Sequence, residues 1–183
     1  MIFILPLLIG CVIGLVRGGS ISNLAFLKLK RLWILPVAYA VQYTSIYYLR
    51  GLEYEFLILL SYLMLILFCL LNQLVAGVKI AAVGIFLNFL VMVTNHFRMP
   101  AYLPSVMRID PKAALLLKQG LIGKSIAMSG STHLNFLGDI FSVHIGRGSL
   151  ISIGDILFSI GIAVLIQHAM RTEGTYTSND DAN

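Results

Sequence analysis

This chain has unusually few charged residues. Only 11% of its 183 residues are charged, whereas 58% are hydrophobic; soluble domains carry charge on about a quarter of their residues. A surface with so few charges is expected to face lipid rather than water. The apolar runs are continuous instead of alternating, which favours membrane helices over the strands of a barrel.

Cysteine and catalytic motifs are also scarce. Cys11 and Cys69 fall inside apolar runs, where packing is expected more than a disulfide or a metal pair. There is no Gly-x-Ser-x-Gly elbow and no His-x-x-x-His spacing, so neither an acyl-transfer nucleophile nor a metal site is indicated. The sequence identifies no cofactor and assigns no catalytic residue.

The net charge of +5 does not indicate nucleic acid, because the Lys and Arg residues are scattered at the ends of apolar runs. Such flanks suit lipid phosphates. The first basic residue, Arg17, follows the first apolar run, which disfavours a cleavable signal peptide. Residues 8–11 resemble a lipoprotein cleavage site, but the run before them is short and begins uncharged, so the first helix is expected to be retained.

Five apolar segments predict an all-α fold: a polytopic transmembrane bundle of about five spanning helices, with a long, partly re-entrant or interfacial connection before the last. A span needs about 20 residues and tolerates about 17, so the shorter segments must borrow flanking residues or thin the bilayer. Residues 1–171 are predicted to form this single domain, and the polar residues 172–183 a disordered tail. The segments are Ile2 to Val16, Leu32 to Leu49, Phe56 to Leu71, Val78 to Thr94 and Leu150 to Ala169.

The basic connection from Ser20 to Arg31 predicts the orientation. By the positive-inside tendency it belongs in the cytoplasm, which places the amino terminus outside and, after five crossings, the carboxyl terminus inside. The opposite face collects seven basic residues against six on this one, so this prediction depends on the usual dominance of the first loop. A sixth crossing within Leu121 to Ile145 would reverse the last helix.

The polar stretch from Asn95 to Asp155 interrupts the membrane-type sequence and carries Gly-Asp-Ile twice, at 138–140 and 154–156. A carboxylate near membrane depth is costly unless it is paired, which makes both aspartates functional candidates. Ser152-x-x-Asp155 also has the form of a helix capping box. Asp139 has no capping box at its own position, although it could cap a short turn beginning at Ile140, and it is the better candidate. Possible partners for these aspartates are His96, Arg98, His133, His144 and Arg147.

Other parts of the connection have local interpretations. Asp110-Pro111 followed by Gly120 predicts a short capped helix. The segment around Gly123-Lys124-Ser125 lacks the first glycine of a phosphate-binding loop, so a flexible basic turn explains it better. Asn95 either caps the fourth helix or joins a site. Arg98 either binds an anion or extends to lipid headgroups. Tyr39, Tyr43 and Tyr47 share one helix face with Gln42 nearby, and that face lines a pocket, forms an interfacial belt or packs between helices.

Several fragments in order resemble an uncharacterised bacterial integral membrane family, domain of unknown function 5317. The sequence departs from the family pattern at His96-Phe97, where the family has small, glycine-like residues after the asparagine. The resemblance implies a bacterial cell membrane and supplies no activity. The fragments are Arg17-Gly18-Gly19, Asn23-Leu24-Ala25, Gln42, Arg98-Met99-Pro100, Thr132-His133-Leu134, Leu137-Gly138-Asp139 and Ile153-Gly154-Asp155.

The leading hypothesis is a membrane protein that binds a small polar or anionic molecule, as a transporter component or binding subunit. Its expected partners are the lipid bilayer, that ligand, and a membrane protein partner or second copy. The alternatives are a non-catalytic subunit of a larger complex and, with less support, a lipid-headgroup enzyme that uses Asp139 or Asp155. The predicted ligand-binding residues are Asn95, His96, Arg98, His133, Asp139 and Asp155.

Overall fold

The computed structural model describes residues 4–120, 123–144 and 148–172. All five apolar segments are helical, so the prediction of a mostly helical protein is confirmed. The helices are α1 (Ile4–Val16), α2 (Ile34–Tyr48), α3 (Gly51–Leu71), α4 (Val78–Val93), α5 (Leu103–Ile109), α6 (Pro111–Lys118) and α7 (Ile153–Arg171), with 3-10 turns at Ile21–Phe26 and Asn135–Leu137.

Fewer helices are long enough to cross a membrane than the five spans that the sequence predicts. In the described part of the chain, α3 and α7 are long and apolar enough to cross a bilayer, whereas α1 and α4 are apolar but shorter. The structure therefore supports a mostly helical fold with two candidate spans. The prediction of about five spanning helices is not confirmed. The predicted tail, apart from Thr172, lies outside the described residues.

The long helices alternate in direction. The residue Ser20, after α1, donates its backbone N–H to Met170 O near the end of α7, at 2.8 Å. Lys30, before α2, donates its backbone N–H to Asn72 Oδ1 after α3, at 2.7 Å. The start of α7 meets the second half of α4 through Asp155 and Asn88. Residues 17–33 and 72–77 thus lie at one end of the bundle, and the connection 94–152 covers the other.

Glycines set the closest helix contacts. Helix α7 packs against both α1 and α4. On α1, a Cβ at Gly10 would stand 2.8 Å from Ala163 O of α7. Between α4 and α7, Gly84 faces the backbone of Gly154, and Gly161 faces that of Ala81. Small residues that let two backbones approach in this way are typical of helix pairs in membranes.

The connection folds around a short parallel pair of strands. Strand β1 (Met99–Ala101) pairs with β2 (Ser125–Ala127), and Asp139 bridges to Ala101. Strands β3 (Phe141–Val143) and β4 (Ser149–Ile151) form an antiparallel pair just before α7. Residues 123–144 contain no α-helix, so the described part of Leu121 to Ile145 holds no sixth crossing.

The prediction of a short capped helix in the connection is confirmed. Asp110 caps α6 by accepting hydrogen bonds from the backbone N–H groups of Lys112 and Ala113, at 2.9 and 3.1 Å. The chain also turns tightly after Asn95, although no glycine is present. His96 and Phe97 both adopt left-handed backbone conformations, with φ of 53° and 56°, which L-residues with side chains rarely take.

Candidate functional site

The first part of the site is a hydrogen-bonded cluster that joins α4 to the start of α7. Ser152 Oγ accepts from Asp155 N–H at 2.9 Å, and Asp155 Oδ2 accepts from Ser152 N–H at 3.1 Å. The predicted capping box is therefore confirmed. Asn88 extends it, since its Nδ2 donates to Asp155 Oδ1 at 2.8 Å and its Oδ1 accepts from Ser152 Oγ at 2.7 Å.

This cluster satisfies the Asp155 carboxylate. Both oxygens accept hydrogen bonds, and the group lies in the first turn of α7, where the helix dipole favours negative charge. Asp155 therefore has a structural role at the helix start. Two hydrogen bonds and the helix dipole stabilise the carboxylate there.

A cavity of about 200 Å³ begins beside this cluster and extends between α2, α3, α4 and α7. One end is polar, and the remainder is lined by aliphatic and aromatic side chains. The polar lining residues are Gln42, Tyr62, Asn88, Lys124 and Asp155; the apolar ones are Leu35, Leu65, Phe68, Cys69, Val78, Ala81, Ile85, Phe158, Ile162 and Leu165.

Lys124 brings a cation to the polar end from outside the bundle. Its carbonyl accepts from Met99 N–H at 2.7 Å, so the β1–β2 pairing holds the residue over the helix ends. No carboxylate oxygen lies within 4.0 Å of its ammonium among the described residues. The neighbouring Tyr62, Asp155 and Asp139 raise the pKa of Lys124 against the opposing effect of burial, so the ammonium keeps its proton.

Asp139 lies on the other side of β1. Its backbone is fixed by two hydrogen bonds, from its N–H to Pro100 O at 2.8 Å and from Tyr102 N–H to its carbonyl at 3.0 Å. Burial raises the pKa of its carboxyl to about 7, the Asp155 carboxylate adds to the rise, and Lys124 opposes it. Asp139 lines a second cavity, also about 200 Å³, beneath α5 and α6.

The other predicted ligand-binding residues do not line the cavity beside Lys124. Asn95 donates to Val91 O and His133 O, both at 2.8 Å, and its Oδ1 accepts from His133 N–H at 2.8 Å. It thereby caps α4, as one of its two interpretations predicted, and anchors the backbone of residue 133. The side chain of His96 is 90% exposed and stands 3.8 Å from Glu55.

Arg98 contacts the bundle end rather than a pocket. Its guanidinium lies 5.5 Å from the centre of the Tyr54 ring and donates to Gly120 O at 3.5 Å. Of the suggested aspartate partners, His144 is exposed, and Arg147 lies outside the described residues. Ligand binding by the six predicted residues stays a prediction, with Asp155 at the first cavity and Asp139 at the second.

Sequence reasoning missed Lys124, Asn88 and Tyr62 as parts of a site. For Asn88 a signal existed, because an amide within the apolar run Val78–Val93 needs a buried partner. For Lys124 the sequence carried no such signal, since the position of this residue depends on the pairing of two strands of only three residues each. The tyrosine face of α2 instead points outward, with Tyr39 and Tyr47 69% and 63% exposed. Gln42 lines the cavity instead.

Comparison with known proteins agrees with the family resemblance. The model of a family described as "Family of unknown function (DUF5317)" matches residues 26–167. An uncharacterized protein of Thermotoga maritima is 28% identical over 165 residues, which cover 89% of this chain and 86% of that protein. No solved structure matches the chain.

Proposed function

The chain belongs to the DUF5317 family, whose function is unknown, and we propose from its own geometry that it is a multi-pass membrane protein that binds a small polar or anionic molecule at Lys124. It acts as a transporter component or as a binding subunit in a bacterial cell membrane. The exposed apolar surface supports the membrane location, and the cavity supports the binding of a small molecule.

The multi-pass proposal is supported by the apolar surface that the helices expose. The apolar windows of α3 and α7 are only 33% and 28% buried, whereas the core helix of a soluble protein is mostly buried. Large apolar side chains also project outward from the shorter helices, including Leu8 of α1 at 57% and Phe86 of α4 at 52% exposure. Because α1, α2 and α4 run alongside the two long helices, we propose that all five cross together.

The binding proposal depends on one observation: the Lys124 ammonium faces a largely apolar cavity without an ion-pair partner in the described chain. A charge removed from water is costly unless another group compensates it. Asp155 and Asp139 act on the ammonium electrostatically, but neither lies within ion-pair distance of it in the described chain, so the ammonium can still bind an acidic or strongly polar group. A mostly apolar pocket with a few converging polar groups is the usual form of a small-molecule site.

Catalysis on a lipid headgroup has less support from the site. That hypothesis requires two acidic groups that act at one cavity, but Asp155 Oδ2 accepts a hydrogen bond in the helix cap and Oδ1 accepts one from Asn88. Asp139 lines a different cavity. We therefore propose binding rather than chemistry.

Native mass spectrometry of the gently solubilised protein tests the proposal. We expect a small molecule retained by the wild type and by Lys118→Gln, which removes an exposed lysine of α6, and lost from Lys124→Gln. Lys124→Arg, which keeps the charge, should retain part of it. A ligand retained equally by Lys124→Gln would contradict the site. A stoichiometric partner chain without any ligand would favour the subunit alternative instead.

A further inference from the structure

The geometry points to the class of the bound molecule, an inference that rests on the proposed function. We infer that the ligand is a single-chain amphiphile with one compact acidic head, which binds at Lys124 while the chain extends through the bundle toward Cys69.

The cavity is divided lengthwise into a polar and an apolar part. On α4 its lining runs from Asn88 to Val78, and on α7 from Asp155 to Leu165. Each stretch of ten residues covers about 15 Å along its helix. The two helices are antiparallel, so their polar residues share one end and their apolar residues the other. On α3 the same order holds from Tyr62 to Cys69.

The volume restricts the ligand to a single slender chain. An engineered cavity of about 150 Å³ in another protein holds one benzene molecule, and this cavity of about 200 Å³ is somewhat larger. A phospholipid with two acyl chains is too large. A long and narrow apolar space instead matches one alkyl or isoprenoid chain, whose burial the hydrophobic effect favours.

Hydrogen-bond donors at the polar end favour an acidic head. The Tyr62 hydroxyl donates only to the thioether of Met92, at 3.2 Å, and sulfur is a weak acceptor. Within the described residues, the Gln42 side chain makes no hydrogen bond, and neither does the Lys124 ammonium. The side-chain oxygens of Asn88 and Asp155 each already accept one hydrogen bond. Gln42 supplies a free amide oxygen as well as free N–H groups, but with the Lys124 ammonium added the free donors outnumber the free acceptors, which suits a carboxylate, sulfate or phosphate monoester.

A matched set of probes tests this class with the full-length, detergent-solubilised protein. Octyl sulfate carries both features, butyl sulfate shortens the chain, and octanol removes the charge. Binding of radiolabelled probe is measured for the wild type, Lys124→Gln and the control Lys118→Gln. Because loss of a charged hydrogen bond typically costs about 1.5–3 kcal/mol, Lys124→Gln should weaken octyl sulfate binding by about 10- to 100-fold.

Cys69 reports where the chain lies. In a Cys11→Ser background, octyl sulfate should slow the reaction of Cys69 with N-ethylmaleimide, whereas butyl sulfate and octanol should leave its rate unchanged. The Lys124→Gln variant distinguishes binding at this site from partition into detergent.

The outcomes separate the two proposals. Equal affinity for butyl and octyl sulfate, or an unprotected Cys69 with octyl sulfate bound, would overturn the amphiphile class while leaving an anion site at Lys124. Tight binding of octanol would overturn the acidic head. If no probe binds through Lys124 and native mass spectrometry detects no ligand, the proposed function itself is overturned.

Discussion

Asp139 and Asp155 each stand between a glycine and an isoleucine, yet their surroundings give them different properties. Asp155 opens α7 and shares its oxygens with Asn88 and Ser152. Asp139 is held by its backbone beside β1, and burial raises the pKa of its carboxyl to about 7. The first aspartate therefore stabilises a helix start, whereas the second changes its charge near neutral pH.

The raised pKa of Asp139 predicts that stability falls as the pH rises. In the unfolded chain the carboxyl ionises near its ordinary pKa of about 4, and in the folded protein near 7. Between these values the folded state binds more protons, so the free energy of unfolding decreases with pH and levels off above 7. Asp139→Asn should raise the unfolding temperature by a few degrees at about pH 8 and by less at about pH 5.

Thermal unfolding of the two solubilised proteins at both pH values measures this difference. Asp110→Asn is the control, because it changes an exposed cap residue that asparagine can replace. An Asp139→Asn effect that is the same at both pH values would contradict the raised pKa.

Ser152 is fully buried and connects the cap to α4. Ser152→Ala removes the α7 cap and leaves Asn88 Oδ1 without its donor. A lost cap typically costs about 0.5–2 kcal/mol and an unsatisfied buried group about 1–3 kcal/mol, so we expect a loss of roughly 2–4 kcal/mol in unfolding free energy. The exposed Ser131→Ala should change it little. Chemical unfolding of both variants gives the comparison, and similar stabilities would mean that the cluster contributes nothing.

At the scale of elements, the contact between α4 and α7 depends on backbone proximity rather than on large side chains. A Cβ at Gly84 would meet the carbonyl of Gly154 and stand 2.6 Å from the backbone nitrogen of Phe158. Neither of these backbone atoms can yield without moving the helix. The same two helices carry Asn88 and Asp155, so their separation also sets the polar end of the cavity.

Gly84→Ala is therefore predicted to destabilise the protein. Within a helix, alanine is ordinarily more stable than glycine by about 0.5–1 kcal/mol, so the expected sign is the reverse of the intrinsic preference. Gly130→Ala is the matched control, because no atom lies within 4 Å of a Cβ there. The midpoints of thermal unfolding decide the sign, and a Gly84→Ala variant as stable as the wild type would contradict the close contact.

Element prediction succeeded where the pattern was local. Continuous apolar runs located all five long helices, and Asp110-Pro111 and Ser152-x-x-Asp155 located two helix starts, because caps are formed by neighbouring residues. The site depends on long-range contacts. Lys124 reaches the cavity only through pairing of three-residue strands, which are too short to show alternation. Arg98 and His96 were conspicuous by their charge, but they lie outside the cavity.

At the scale of the whole molecule, five alternating helices place the two polar regions at opposite ends. Residues 17–33 and 72–77 share one end with the last turn of α7, and the connection 94–152 covers the other. The positive-inside tendency predicts that the basic connection is cytoplasmic, and on that prediction Lys124 and Asp139 lie on the outer side. A ligand would then reach Lys124 from outside the cell or laterally from the bilayer.

Single cysteines test this arrangement. In a background without Cys11 and Cys69, Ser131→Cys in the long connection should react with a membrane-impermeant maleimide on intact cells. Ser22→Cys in the basic connection should react only after permeabilisation. Labelling of both sites from the same side would contradict an odd number of crossings between them, and the reverse pattern would invert the orientation.

The central claim is tested by cryo-electron microscopy, in lipid nanodiscs, of the protein purified from its native membrane without added ligand. We predict elongated density in the cavity between α2, α3, α4 and α7, with its head in hydrogen-bond contact with Lys124 Nζ and its chain toward Cys69. An unfilled cavity with the Lys124 ammonium paired directly to Asp139 or Asp155 would contradict a ligand site there.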